Sequence, residues 1–341
     1  MIMRLLNTFL FRFICGSLVF FSVHSFGQNK DTKIMLDWVV QGTHAPFFVA
    51  LDKGYFSKAG LNVSIDAGKG AANTAVSVAS GVYQFGWVDF PTMIKFNTEH
   101  PESQLIAVYI SFDETPLSVI TLKSYNLKKP SDLDGKKIAG GPGFAIYDTF
   151  PILLKAAKAE NIKVNWVSVQ PQLFGPMMVR KEVDAMGGFT NSMIPALLDL
   201  GVALNDVQAI KYSDYGVDLY GLTLVTTKKF ADENPDIVKG VVSGLNKGTI
   251  DTIKDPQAAI DTLKKKDSMM KDNVEKIRLD IANGLTNTKW VQKNGLSVVQ
   301  PERLKKMISL VVDAYQLKKT PTPETEYSDK YLPPLSERQI K

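Results

Sequence analysis

Asp37, Trp38, Gln41 and His44 stand within eight residues and bring together a carboxylate, an indole, a carboxamide and an imidazole. A carboxylate accepts hydrogen bonds from the N–H groups of a heterocycle, and an indole offers a stacking face. An imidazole can orient a ligand or move a proton near neutral pH. The set suits recognition of a small planar molecule. Two further stretches carry another chemistry. Residues 66–73, Asp-Ala-Gly-Lys-Gly-Ala-Ala-Asn, and residues 140–147, Gly-Gly-Pro-Gly-Phe-Ala-Ile-Tyr, are glycine-rich turns that each run into a helix. Free N–H groups at such helix starts suit an anion or a carbonyl, and glycine lets a ligand approach the backbone. Gly70, Asn73, Gly141 and Gly143 are therefore candidate contacts, together with Phe144 and Tyr147, which are three residues apart and share a helix face. A tight strand-to-helix turn accounts for the same glycines without any ligand.

The remaining candidates sit where a short strand runs into a helix. Asp89 precedes Phe90-Pro91-Thr92 and can cap the helix that follows or reach a cleft. Phe189, Thr190 and Asn191 occupy the equivalent place after residues 183–188, where a ring could stack on a ligand and two polar groups could fix its edge. A capped turn is the alternative there. Tyr215 adds an aromatic in the run Asp214–Tyr220.

Several chemistries are excluded. The second glycine of residues 66–73 is not followed by Lys-Ser/Thr at the spacing of a phosphate-binding loop, and no Gly-x-Ser-x-Gly elbow supplies a nucleophile. The only cysteine is Cys15, and His44 and His100 stand far apart with no His-Glu-x-x-His between them. That leaves no ligand set for zinc, so neither a metal nor a cofactor is predicted. No catalytic residue is assigned.

These residues need elements to hold them. Residues 33–39 read as a strand, 45–56 as a helix with Pro46 in its first turn and Gly60 beyond its end, and 61–65 as a second strand. Such a βαβ unit puts the loop carrying Asp37 and His44 at the carboxyl edge of a parallel sheet, where open α/β folds bind ligands. Further strands are expected at 83–88, 105–112, 117–122, 137–139, 164–169 and 209–212, with 117–122 and 221–227 as crossings between two lobes. Helices are expected to about residue 80, to about residue 160 from the second glycine turn, over 177–182, and from 234 and 255 onward. The helix over 303–317 carries an apolar stripe of Leu304, Met307, Leu310 and Val311.

The 341 residues, 45% hydrophobic and 22% charged, are enough for two globular lobes. A formal charge of +5 gives no case for nucleic acid. The first 27 residues place Arg4 and Arg12 before an apolar core and end in Ser25-Phe26-Gly27, the pattern of a cleaved secretory signal. Its removal would take Cys15 and His24 with it and leave a soluble chain without a thiol.

Asp37-Trp38, His44-Ala45-Pro46-Phe47-Phe48-Val49-Ala50, Lys53-Gly54-Tyr55-Phe56 and Gly60-Leu61-x-Val63 together resemble the opening signature of the NMT1/THI5-like solute-binding proteins. The likeness runs on to the Tyr-x-Asp-x-Tyr-Leu-Pro stretch at residues 327–333. The resemblance implies an α/β fold of the type II periplasmic binding proteins: two lobes, each a mixed sheet flanked by helices, with the ligand cleft between them. One lobe would comprise 28–118 plus 222–341, and the other 119–221. It further implies a monomeric, periplasmic binding protein of an ABC importer, which hands a small molecule to a membrane permease after its lobes close. A thiamine-precursor pyrimidine is the leading ligand; a sulfonate, taurine or nitrate is the alternative. One departure bears on that choice, since pyrimidine-binding members carry Pro-Asn where this chain has Val40-Gln41. Eukaryotic relatives that synthesise the thiamine pyrimidine use a histidine at the motif position of His44 together with a cysteine-rich motif, which this chain lacks.

Overall fold

A computed structural model describes residues 29–340. The signal-peptide expectation, with Cys15 and His24, lies outside the described residues. Among these residues no helix is long and apolar enough to cross a membrane.

The chain opens with strand β1 (Lys30–Met35), shorter than expected because Asp37–Val40 bend away from the sheet edge. Helix α1 (Ala45–Asp52) takes Pro46 in its first turn, where the missing N–H costs nothing, and stops before Gly54, whose φ of 67° no helix tolerates. Tyr55–Lys58 is therefore a separate turn, α2, and not the end of one long helix. β2 (Leu61–Asp66) returns parallel to β1. α3 (Ala71–Ala79), β3 (Phe85–Asp89), α4 (Phe90–Glu99) and β4 (Leu105–Ile110) complete the first half.

The second half repeats this plan. β5 (Leu117–Leu122), β6 (Lys137–Ala139), α5 (Ala145–Ala156), β7 (Asn165–Val167), α6 (Phe174–Val179), β8 (Ala185–Phe189), α7 (Thr190–Asp199) and β9 (Val207–Lys211) follow, before β10 (Leu222–Thr227). Two five-stranded sheets result, β2-β1-β3-β10-β4 and β7-β6-β8-β5-β9. In each, three parallel strands are followed by two in which only the fourth runs antiparallel to its neighbours. The topologies match if β5 and β10 trade places: each is the strand that arrives from the other lobe.

Residues 117–122 and 222–227 are thus sheet strands and not crossings. The chain passes between the sheets just before each of them. The two passages are tied by the Gly221 N–H donating to Phe112 O at 3.0 Å. Each also supports a helix start, with Phe90 N–H on Gly221 O and Thr190 N–H on Pro116 O.

The rest of the chain is helical: α8 (Lys228–Glu233), α9 (Pro235–Lys254), α10 (Pro256–Lys264), α11 (Asp272–Thr286), α12 (Lys289–Asn294), α13 (Pro301–Tyr315) and α14 (Pro323–Glu326). α9 and α10 start on prolines, and Asp255 caps α10 by accepting the Ala258 N–H at 3.0 Å. α9 packs along α1, and Gly248 lets the two helices approach where a Cβ would stand 2.1 Å from Pro46 O. Leu304, Met307 and Val311 on α13 are buried as the apolar stripe required. The core of the first lobe centres on Trp87, whose indole sits edge-on to His44, Phe47 and Phe112 and donates to Ser111 Oγ at 2.8 Å.

Candidate functional site

The bend after β1 is closed by backbone bonds that return from the next loop. Gly68 N–H donates to Trp38 O and Gly70 N–H to Asp37 O, at 3.0 and 2.8 Å. This anchors Asp37 and Trp38 at the carboxyl edge of the first sheet, above the start of α3. Facing them are the carboxyl ends of β6 and β8 and the starts of α5 and α7. The cleft between them, partly open to solvent, holds about 390 Å³ free of protein atoms. Asp37, Trp38, Gly70 and Ala71 form one wall, and Phe144, Ala145, Ile146, Gly187, Gly188, Phe189, Ser192 and Met193 the other.

Among the described residues that line the cavity, Asp37 is the sole charged one. It is 5% exposed, and its Oδ1 lies 3.1 Å from His44 Nε2. His44 Nδ1 accepts the backbone N–H of Gln41 at 3.1 Å, so the ring proton must sit on Nε2 and be donated to Asp37. His44 is fully buried and takes no part in the cavity lining. Both its nitrogens are engaged by the chain itself, and it orients Asp37.

Trp38 meets Phe144 edge-on at 5.3 Å between centroids and Phe174 at 6.1 Å, an aromatic triad that draws on both lobes. Gly70 stands where a Cβ would be 2.3 Å from the carbonyl oxygen of Gly143, and its φ is 121°. A glycine is required there by both backbone conformation and the approach of the opposite lobe. Ala145 and Ile146, which carry first-turn N–H groups of α5, line the cavity, as does Ala71 at the start of α3. Such groups have no partner within their own helix.

Other expected residues lie elsewhere. Gln41 is buried between the lobes, donating from Nε2 to Ser192 Oγ at 2.5 Å. Asn191 is likewise buried, with Nδ2 donating to Thr43 Oγ1 at 2.6 Å. Asn73 is exposed on the outer face of α3, since the helix turns it away from the cavity. Tyr147 is exposed and packs on Trp166, 5.4 Å from its ring centroid. Gly141 lies against Ser168, and Gly143 sets its carbonyl beside Gly70 without lining the cavity. Thr190 faces the passages between lobes beside Pro116 and Lys211, and Tyr215 stands in the turn after β9.

Asp89 and Phe189 occupy equivalent places, each ending the third strand of its sheet. Asp89 caps α4, accepting from the Thr92 N–H at 3.3 Å and the Thr92 hydroxyl at 3.2 Å, while Oδ1 has no partner among the described residues. It is fully buried, and loss of hydration pushes its carboxyl up to about 7, with Asp148 and Asp37 adding to the rise and the Thr92 bonds opposing it. Phe189 has no capping group, so its ring is free to line the cavity.

Sequence reasoning missed Ser192 and Met193, which line the cavity from the first turn of α7, and Phe174, the first residue of α6, which packs edge-on against Trp38 and Phe144. It also missed the ion pair of Lys95 on α4 with Asp148 on α5, 2.8 Å across the lobes. Small and apolar residues inside a helix carry no chemical signature, and Lys95 gains its meaning only from the opposite lobe. No group of three or more possible metal ligands is clustered among the described residues.

Residues 41–259 match the family model described as NMT1/THI5 like. A formylaminopyrimidine-binding protein of Halalkalibacterium halodurans is 26% identical over 240 residues, spanning 69% of this chain and 70% of that protein. A 4-amino-5-hydroxymethyl-2-methylpyrimidine phosphate synthase of Schizosaccharomyces pombe is 21% identical over 238 residues, 67% of each chain. The solved alkanesulfonate-binding protein of Xanthomonas axonopodis pv. citri, bound to MOPS, superposes with a TM-score of 0.67 at 14% identity, covering 87% of this chain and 98% of that one. At that identity the likeness establishes the fold alone, which is that of the periplasmic binding proteins.

Proposed function

The chain belongs to the NMT1/THI5-like family, and from that premise we propose that it captures a small amino-bearing nitrogen heterocycle of the thiamine-precursor pyrimidine class. It does so by closing two lobes over the ligand, as the solute-binding component of an ABC importer outside the cytoplasm. The observation that carries this reading is Asp37, the one charge lining the cavity, set beside Trp38.

An exocyclic amino group donates to the Asp37 carboxylate, while first-turn N–H groups of α5 supply a ring nitrogen with a donor. Trp38, Phe144 and Phe189 cover the faces of the ring. This alternation of donor and acceptor is the edge an aminopyrimidine presents. The relative from Halalkalibacterium halodurans, named for formylaminopyrimidine, supports the assignment. An anion would meet the Asp37 charge in a site largely stripped of water, where repulsion is strong.

Both cavity walls come from one chain, so a monomer suffices. Closing brings the two lobes into one continuous surface, which a permease can distinguish from the open form. A binder is favoured over an enzyme because His44, the residue best suited to proton transfer, has both nitrogens occupied.

A second reading, a sulfonate, taurine or nitrate as ligand, draws on the starts of α3 and α5, which meet at the cavity. A thermal-shift screen separates the two. A bound ligand at about a hundred times its dissociation constant stabilises the fold by ~2.7 kcal/mol. Formylaminopyrimidine is expected to raise the melting temperature of the wild type but not of Asp37→Asn. A shift with taurine or nitrate alone overturns the assignment.

A further inference from the structure

Helix α11 stands outside the cavity yet touches both lobes. Its Glu275 accepts the backbone N–H of Gly42 at 2.5 Å, so close that a Cβ on Gly42 would meet the Glu275 carbonyl at 2.8 Å. Arg278 is held by Glu275, with Nε 3.1 Å from Oε2. From Nη1 it donates to Gln41 Oε1 at 2.7 Å and to the Ser192 carbonyl at 3.1 Å. Gln41 closes the circuit through Ser192 Oγ. At the far end of the same antiparallel helix pair, Lys271 meets Asp199 at 2.6 Å. The guanidinium thus joins the Gly42 loop of the first lobe to the first turn of α7 in the second, and it is 8% exposed. A buried guanidinium is tolerated only where its donors are placed, and opening the lobes would strip it of the α7 carbonyl. Arg278 also lies beyond the residues matched to the family model.

We propose that Arg278 is the positioning residue of lobe closure: by fixing Gln41 and the start of α7 together, it sets how long the ligand stays, although it does not line the cavity. This rests on the reading that the lobes close over a ligand, but its test does not depend on which ligand. Removing a charged hydrogen-bond donor from a closed interface weakens it by about tenfold or more.

The test combines stopped-flow release of formylaminopyrimidine with small-angle scattering, for wild type, Arg278→Lys, Gln41→Ala and the double variant. Arg278→Lys keeps the charge beside Glu275 but loses the fork, so the fold is retained, as a thermal melt verifies. The expected result is release about tenfold faster with little change in association, a larger radius of gyration, and non-additive effects of the two changes. A merely structural role would lower the melting temperature and leave release unchanged. Wild-type release rates and an unchanged radius of gyration in Arg278→Lys, with and without ligand, overturn the proposal. If the wild type binds no pyrimidine, the functional reading fails, and the latch is judged on ligand-free scattering: expansion of Arg278→Lys supports it, and no change overturns it.

Discussion

His44 Nε2 donates to Asp37 Oδ1 across 3.1 Å, and both side chains are buried. The histidine therefore acts as a strut behind the one carboxylate that lines the cavity. His44→Phe keeps a ring against Trp87 but removes the bond. Loss of a hydrogen bond to a charged group is worth ~1.5–3 kcal/mol. The variant is expected to bind the aminopyrimidine some tenfold to a hundredfold more weakly by calorimetry, with a lower melting temperature.

Trp38→Ala deletes the wall that meets Phe144 and Phe174 edge-on. Stacking of a base on an aromatic side chain contributes ~1–3 kcal/mol. Affinity for a planar heterocycle should fall accordingly in an equilibrium titration, whereas an anion held by backbone donors would lose little.

Gly70→Ala places a methyl group 2.3 Å from the Gly143 oxygen, which belongs to the opposite lobe. Ligand affinity is expected to drop more than tenfold, since closure must then shift the backbone of one lobe. Ligand-free stability should drop by ~1–3 kcal/mol, from the unfavourable φ. Comparing calorimetric titrations with ligand-free melts separates the two effects.

Burial pushes both Asp89 and Glu326 up to about 7 from ordinary values of 3.8 and 4.5. A raised acid keeps its proton in the folded chain at a pH where the unfolded chain has already lost it. Between the unfolded values and about 7, these two groups therefore make stability fall as pH rises. The melting temperature is expected to increase as pH is lowered from about 7 toward about 5. Asp89→Asn keeps the cap on α4 and should flatten that dependence.

How far the site could be read from the sequence depended on what kind of signal each residue gave. Asp37, Trp38, Gly70, Phe144 and Phe189 line the cavity, and each stands beside a strand end or helix start that local pattern locates. Pro46, Pro235 and Pro256 marked helix starts for the same local reason. Gln41, His44 and Asn191 have polar side chains in the right loops, but their partners are residues of the chain itself. Whether a polar group faces a ligand or a neighbour is a tertiary fact that its own segment does not encode. Arg278 illustrates the limit: it lies 237 residues from Gln41 in sequence and 2.7 Å from it in space. Residues 117–122 and 221–227 read as crossings because they are apolar and flank the lobe changes, yet pairing with β8 and β3 makes 117–122 and 222–227 strands.

The central claim is that the Asp37 wall selects a neutral, amino-bearing ring over an anion. Parallel calorimetric titrations of the protein with formylaminopyrimidine and with an alkanesulfonate test it most directly. The account predicts saturable binding of the pyrimidine and no measurable heat from the sulfonate. Saturable binding of the sulfonate with none of the pyrimidine would contradict it, and would transfer recognition to the starts of α3 and α5.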